Sequence, residues 1–197
     1  MLALGVAAEL LLAVQFAGRI QPADLWAVPA TLVVATLLEY VAHRYVMHVQ
    51  WRALGAIWDA HTGRHHHYYL EEAPTWERPA DVWLILFSLR DVVTLVAIVA
   101  GPFAILRAAV PAGSWALAVA TSIGFFLGYE ALHMAYHLPD GHPALRRRWL
   151  AAMRAHHVRH HRLASMHANY GVTTRLWDRL FGTAAAPASA RGRAAPR

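Results

Sequence analysis

SWALAVATSIGFFLGYEALHMAYHL, Ser114 to Leu138, is an apolar run that can cross a hydrocarbon core about 30 Å thick, which takes roughly 20 helical residues. It ends in His133 and His137, which on a helix differ by only about 40° in direction and can therefore serve one ion or two neighbouring ions. Three further runs have membrane length: Met1 to Ala17, Leu25 to His48 and Val82 to Leu106. The second of these also ends in histidines, His43 and His48. The reading is an all-α integral membrane protein with about four transmembrane helices. Met1 to Ala17 has no basic start, carries Glu9 and is followed by no convincing cleavage site, so it is read as a retained helix rather than a secretory signal.

The chain has 197 residues, 57% hydrophobic and 15% charged, which suits a single membrane domain and excludes a disordered chain. Cysteine is absent, and with it go disulfide scaffolds, thiolate zinc sites, iron-sulfur clusters and a cysteine nucleophile. The net charge of +6 comes from arginine alone, in stretches separated by apolar runs. That pattern fits a positive membrane face, and no nucleic-acid recognition module is visible.

Arginine in the loops sets the orientation, because basic residues stay on the cytoplasmic side. Arg19 and Arg107 lie on one side. Arg44, Arg52, Arg64 and Arg78 flank the loop after the second run, and Arg146 to Arg148, Arg154, Arg159, Arg162, Arg175 and Arg179 follow the fourth. Both histidine-rich segments are thereby placed in a cytoplasmic cap. Arg90 and Asp91, costly in lipid, read as a structural ion pair. Arg146 to Ala168 has helical spacing, with Trp149, Leu150 and Met153 as an apolar stripe that suits packing or the membrane surface. One domain, 1–183, is expected, with a disordered Ala, Pro and Arg tail at 184–197. Alanine and arginine richness without lysine is associated with GC-rich genomes, hence with a bacterial inner membrane.

The 14 histidines are clustered: 43 and 48; 61 and 65 to 67; 133 and 137; 142; 156, 157, 160 and 161; and 167. Neutral imidazole is the commonest metal ligand, and offsets of three, four and five put several rings on one helical face. His43 and His48 differ by about 140° on an ideal helix, so they share a centre only across a groove or where the helix loosens. A mononuclear site needs three or four ligands. These clusters supply at least nine, which suits two ions, and imidazole alone does not choose among iron, zinc, copper and nickel.

Taken in order, HRYVMH (His43 to His48), HTGRHH (His61 to His66), HMAYH (His133 to His137) and HVRHH (His157 to His161) resemble the fatty acid hydroxylase and sterol desaturase superfamily. AHHVRHH, NYGV (Asn169 to Val172) and TRLWDRLFGT (Thr174 to Thr183) extend the likeness toward its fatty-acid 2-hydroxylase branch, over roughly residues 35 to 183. The resemblance implies a membrane di-iron oxygenase that uses O₂ to hydroxylate a C–H bond of a fatty acyl chain or related membrane lipid. It implies His43, His48, His61, His65, His66, His133, His137, His157, His160 and His161 as ligands of two iron ions. These 197 residues contain no cytochrome b5-like segment, so electrons are expected from a separate donor, a cytochrome b5-like protein, a ferredoxin or a reductase. HTGRHH has three residues in its spacer where the branch usually has two, which leaves open a register on His66 and His67; His156 likewise competes with His157.

Glu39 and Glu130 precede proposed ligands by four and three residues and read either as carboxylates backing an imidazole or as helix-end acids pairing with an arginine such as Arg44. Asn169 suits a metal-bound water or a turn before Gly171. Tyr129 and Tyr136 are candidates for the substrate channel or the core. His142 and His167 are read as outside the ligand set, and Trp177, Asp178 and Phe181 as a packed fold element. Carotenoid or sterol hydroxylation or desaturation is the neighbouring alternative. A divalent-metal transporter is the rival from another class, opposed by histidines that sit at helix ends rather than through the membrane depth.

Overall fold

The structure, a computed structural model, describes residues 11, 13–88, 90–92, 102 and 104–185. Among the described residues it is all helical, apart from an isolated bridge between Leu70 and Ala73. Helix α1 (Ala27–Val41) is entered through a 3₁₀ turn, Pro22–Trp26, and leaves through a π-helical turn, Ala42–Met47. A short helix α2 (Gly55–Trp58) runs into a second π-helical stretch, Asp59–His65, and then into α3 (His66–Tyr68). The long helix α4 (Ala112–Tyr136), helix α5 (Arg148–His160) and the short α6 (Leu176–Leu180) complete the set.

Two rods, Pro22–Met47 and Ala112–Tyr136, are long and apolar enough to cross a membrane. They run side by side in the same direction because their N-terminal ends are joined. Buried Asp24 accepts from the Ser114 hydroxyl at 2.5 Å and from the Gln21 amide at 2.8 Å. Gly113 makes this approach feasible, since a Cβ there would run into the Asp24 carboxylate and the Arg19 carbonyl. Trp115, fully buried, packs with Ala116 and Val119 against Phe16 and Leu106. Both rods therefore deliver their C-terminal histidines to one end. The rod of α1 leaves Leu25, Trp26, Leu32, Val33, Val34, Leu38 and Val41 exposed, a face suited to lipid.

Four spans were expected, and the described residues contain two. Met1 to Ala17 lies mostly outside them, as does most of Val82 to Leu106. The start of that third run is a correction: Pro79–Leu84 is 3₁₀ helix, and the chain through Ser88 is not regular helix. Side chains take the amides that a helix would use. Phe87 N–H donates to Glu130 Oε2 and Ser88 N–H to Asp91 Oδ2, each at 3.2 Å. Arg90 and Asp91 do pair, at 3.9 Å.

Beyond α5 the chain folds back as the NYGV turn. Asn169 adopts φ 57°, a left-handed conformation that asparagine tolerates, and a Cβ on Gly171 would collide with the Thr174 carbonyl and Asp178. Asp178, fully buried on α6, organises this corner. It accepts from Tyr170 N–H at 2.9 Å, Gly171 N–H at 2.8 Å, Thr183 Oγ1 at 2.7 Å and His156 Nε2 at 3.0 Å. Tyr129, Tyr136, Leu150 and Val172 form the core beneath it, with Met153 packed alongside. Of the apolar stripe on α5 only Trp149 is exposed, so packing accounts for the rest. Ala184 and Ala185 are still hydrogen bonded, to the Asp178 carbonyl at 3.1 Å and Asn169 Oδ1 at 2.8 Å; 186–197 lie outside the described residues.

A buried carboxylate with four donors cannot be truncated cheaply, because the donors lose their acceptor without regaining water. Asp178→Ala is expected to destabilise the fold by roughly 3 kcal/mol or more. Thermal unfolding of the purified variant measures this; a midpoint equal to wild type would remove Asp178 from its organising role.

Candidate metal centre

Ten histidines meet at the common end of the two rods, in two groups. One contains His43, His48, His61, His66 and His160; the other contains His65, His133, His137, His157 and His161. Within each group the five candidate ligand nitrogens lie within 4.8 Å of one another. The groups abut: the His66 ring stacks on His161 at 4.2 Å between centroids, and His61 on His65 at 5.2 Å.

Backbone geometry explains the division. The second group draws on α-helical i, i+4 pairs, His133 with His137 and His157 with His161. The first group draws on i, i+5 pairs, His43 with His48 and His61 with His66. An α-helix would turn the members of such a pair away from each other, but π-helical turns at Ala42–Met47 and Asp59–His65 bring i+5 over i. The loosening that the His43 and His48 spacing required is therefore present, and it recurs in HTGRHH. The three-residue spacer is what gives His61 and His66 their five-residue offset.

Backbone carbonyls then fix which nitrogen faces inward. His65 Nδ1 donates to the Leu84 carbonyl at 3.0 Å, His137 Nδ1 to Pro74 at 2.6 Å, His160 Nδ1 to Ala168 at 2.7 Å and His161 Nδ1 to Tyr69 at 2.6 Å. His43 Nδ1 donates to the Tyr170 carbonyl. A carbonyl only accepts, so each of these neutral rings carries its proton on Nδ1 and presents a bare lone pair at Nε2. Those Nε2 atoms face other Nε2 atoms: His157 lies 3.1 Å from His137 and 3.0 Å from His161, and His43 lies 2.9 Å from His61. One proton on His157 cannot satisfy both neighbours. A cation between them can, and two ligands at right angles on a metal–nitrogen bond of about 2.1 Å stand ~3.0 Å apart. The residues fit a metal in each group.

Burial reinforces that chemistry. Desolvation first, and neighbouring imidazoles second, hold His61, His65, His66 and His157 well below the usual 6.5. His160 and His161 are likewise held down chiefly by burial, and His137 is lowered to about 4. Neutral imidazole, the ligating form, is thus the resting form.

The competing registers are separated by position. His67 is exposed, while His66 is buried in the first group. His156 turns from the metal groups and binds Asp178 at 3.0 Å, leaving His157 inside. His142 accepts from the Ala144 amide at 3.2 Å, and His167 is exposed.

The supporting residues differ from expectation. Glu39 backs no imidazole: it accepts from the Val172 and Thr173 amides at 2.6 and 3.0 Å and from the Thr173 hydroxyl, pinning the NYGV turn to α1. Arg44 is bound not to Glu39 but to the Tyr40 hydroxyl at 2.8 Å. Glu130 accepts from the Phe87 amide, so it shapes the segment whose Leu84 carbonyl holds His65. Asn169 faces protein, donating to the His156 carbonyl at 3.1 Å and accepting from Ala185. Tyr136 belongs to the core, with its hydroxyl on the Val172 carbonyl at 2.8 Å. Tyr129 lines a cavity of about 60 Å³ together with Ile57, Leu86, Phe87, His61, His65 and His133. Sequence reasoning missed the carbonyl acceptors because a carbonyl carries no residue-type signal.

This architecture defines a class: helical proteins with two buried polyhistidine groups, able to hold metal ions, at one end of membrane-length helices. A family model described as fatty acid hydroxylase matches residues 28–183, and the chain belongs to that family. It is similar to dihydroceramide fatty acyl 2-hydroxylase FAH2 of Arabidopsis thaliana, with 30% identity over 151 residues, 75% of this chain and 56% of that protein. The fold is similar to the hydroxylase domain seen for full-length scs7p, with a TM-score of 0.64 and 20% identity over 92% of this chain and 64% of the other. The chain thus spans somewhat over half the length of the plant relative.

Two outcomes are expected from these contacts. His157→Ala lowers bound metal measured by elemental analysis, whereas His156→Ala keeps the metal and lowers the thermal midpoint; metal loss in the second and not the first would invert the register. The buried histidines bind protons near pH 6.5 when unfolded but only at lower pH when folded, so the unfolded state gains protons first on acidification. Stability of the metal-free protein should therefore fall as pH drops through about 6.5 toward 4. A midpoint that stays flat or rises between pH 7 and 5 contradicts this.

Proposed function

We propose that this protein is an O₂-dependent lipid hydroxylase in which the ten histidines hold two irons and the substrate is a fatty acyl chain or related membrane lipid. The observation that carries the reading is the meeting of two all-imidazole groups at the end of membrane-length helices in a fatty acid hydroxylase family member. Sulfur-free nitrogen sites of this kind suit iron. The name of the plant relative makes N-acylated sphingoid lipids the first substrates to test. Its plant source lends nothing to the bacterial inner membrane expected from composition. The positive-inside rule supports a cytoplasmic metal end, because Arg146 to Arg148, Arg154, Arg159 and Arg162 lie on the histidine side.

When bound, iron activates O₂ with two electrons from a separate donor and two protons, one oxygen atom entering the C–H bond and the other leaving as water. The chain's own part is positional. Carbonyls of Tyr170, Leu84, Pro74, Ala168 and Tyr69 hold five rings in one tautomer, so the inward lone pairs need no rearrangement. The small cavity touches His61 of one group and His65 and His133 of the other. Ile57, Leu86, Phe87 and Tyr129 give it an apolar side, alongside polar lining from Arg64, Ser88 and Asp91, and at about 60 Å³ it has room for only a short stretch of a hydrocarbon chain. The exposed apolar face of α1 keeps the whole centre beside the bilayer, from which such a chain comes.

The test is lipid mass spectrometry of a host expressing the protein under ¹⁸O₂, beside His160→Ala. A hydroxylated lipid carrying one ¹⁸O atom is expected from the wild type only. Unlabelled product, or normal turnover by purified His160→Ala, would refute the reading.

A further inference from the structure

Several arginines near the histidine end have partners. Arg154 binds Asp140 at 2.8 Å, Arg162 binds both oxygens of Glu71, and Arg44 donates to the Tyr40 hydroxyl. Asp178 is occupied by His156, Thr183 and two backbone amides. Two arginines are different. Arg159 on α5 and Arg175 just before α6 each keep a buried Nε with no acceptor among the described residues. The Arg175 guanidinium reaches the Ala152 carbonyl on α5, and no ion pair among the described residues involves Arg159, Arg175 or Arg179.

Helix geometry gathers the three. Arg175 and Arg179 are four apart and share a face. Arg159 stands seven residues, two helical turns, after Ala152 and so on the same face of α5 as the carbonyl that Arg175 holds. Burial, then repulsion from Arg159 and Arg179, pulls the Arg175 guanidinium below its usual range. Glu71 and Asp140 border the same surface depression as Arg159 but are already held by Arg162 and Arg154, so the three guanidinium groups leave room for an anion from outside the chain.

The surroundings say which anion. Leu176 and Leu180 of α6, and Phe181 after it, are exposed apolar side chains. They continue the exposed face of α1, because α6 is fastened to that helix by Trp177 Nε1 on Thr36 Oγ1 at 3.1 Å and by Tyr40 stacked on Phe181 at 5.3 Å. Apolar residues facing lipid with arginines beside them match the boundary between acyl chains and headgroups.

We infer that Arg159, Arg175 and Arg179 form a phosphate-binding site whose occupant is the headgroup of an anionic phospholipid, with its acyl chains along α1 and α6. The site needs neither metal nor hydroxylase activity, so it stands or falls apart from the proposed reaction.

The full chain, purified in mild detergent, is tested with phosphatidylglycerol, phosphatidylcholine or inorganic phosphate, by thermal midpoint and by lipid retention in native mass spectrometry. Phosphatidylglycerol should raise the midpoint and be retained several-fold better than phosphatidylcholine, and inorganic phosphate should do neither. Arg159→Gln and Arg179→Gln should each weaken that retention about five-fold. Without lipid, the same substitutions should leave the midpoint unchanged or raise it, because they relieve repulsion. Equal retention of the two lipids, unaltered retention in both variants, or lower lipid-free midpoints in both would overturn the site. A shift reproduced by inorganic phosphate would overturn the lipid assignment.

Discussion

Buried imidazole nitrogens brought to about 3 Å of one another, with too few protons to bridge every contact, are the constraint on which this structure turns. His157 faces both His137 and His161 and has one ring proton for two lone pairs, where water cannot make up the difference. Five backbone carbonyls create that shortage by holding the proton of His43, His65, His137, His160 and His161 on Nδ1, so that Nε2 of each can only accept. The carbonyls of Tyr69, Pro74, Ala168 and Tyr170 lie in irregular chain, and that of Leu84 ends the 3₁₀ helix Pro79–Leu84. The irregular parts of the fold are the parts that hold the rings.

The same logic accounts for the two π-helical turns. A regular helix offers i, i+4 pairs, and α4 and α5 supply those to one group. Filling a second group beside it requires rings arriving from α1 and from the HTGRHH segment, whose spacing is five. Widening the helix at Ala42–Met47 and Asp59–His65 provides the alignment locally, without breaking the rods that carry it. Glu39 and Asp178 then lock the last element in place from opposite sides, one gripping Val172 and Thr173, the other Tyr170 and Gly171. In this family member the acidic residues serve the fold that positions the ligands, and the carbonyls serve the ligands directly.

The parallel course of α1 and α4 links this chemistry to a membrane. The joint between Asp24 and Ser114 fixes both starts at one level, so both histidine ends emerge at the other. An exposed apolar wall on α1 and α6, bordered by arginines, lies next to the buried imidazoles rather than across the molecule from them.

Much of this was legible in the residues alone. Run length and hydropathy gave the two rods, and the four-residue offsets of His133 with His137 and His157 with His161 gave two ligand pairs, because α-helical periodicity converts spacing into direction; which pairs share a group, and that His160 joins the other one, they did not give. Composition excluded sulfur ligands, and the ordered motifs pointed to the family. Tertiary structure decided what spacing could not. It chose His66 over His67 and His157 over His156, paired His43 with His48 through a widened turn, and set Glu39, Glu130, Asn169 and Tyr136 to structural work. The physical reason is that these outcomes depend on hydrogen bonds between residues far apart in sequence. Partners such as Leu84, Pro74, Ala168 and Tyr69 act through a carbonyl that every residue possesses, so their side chains announce nothing.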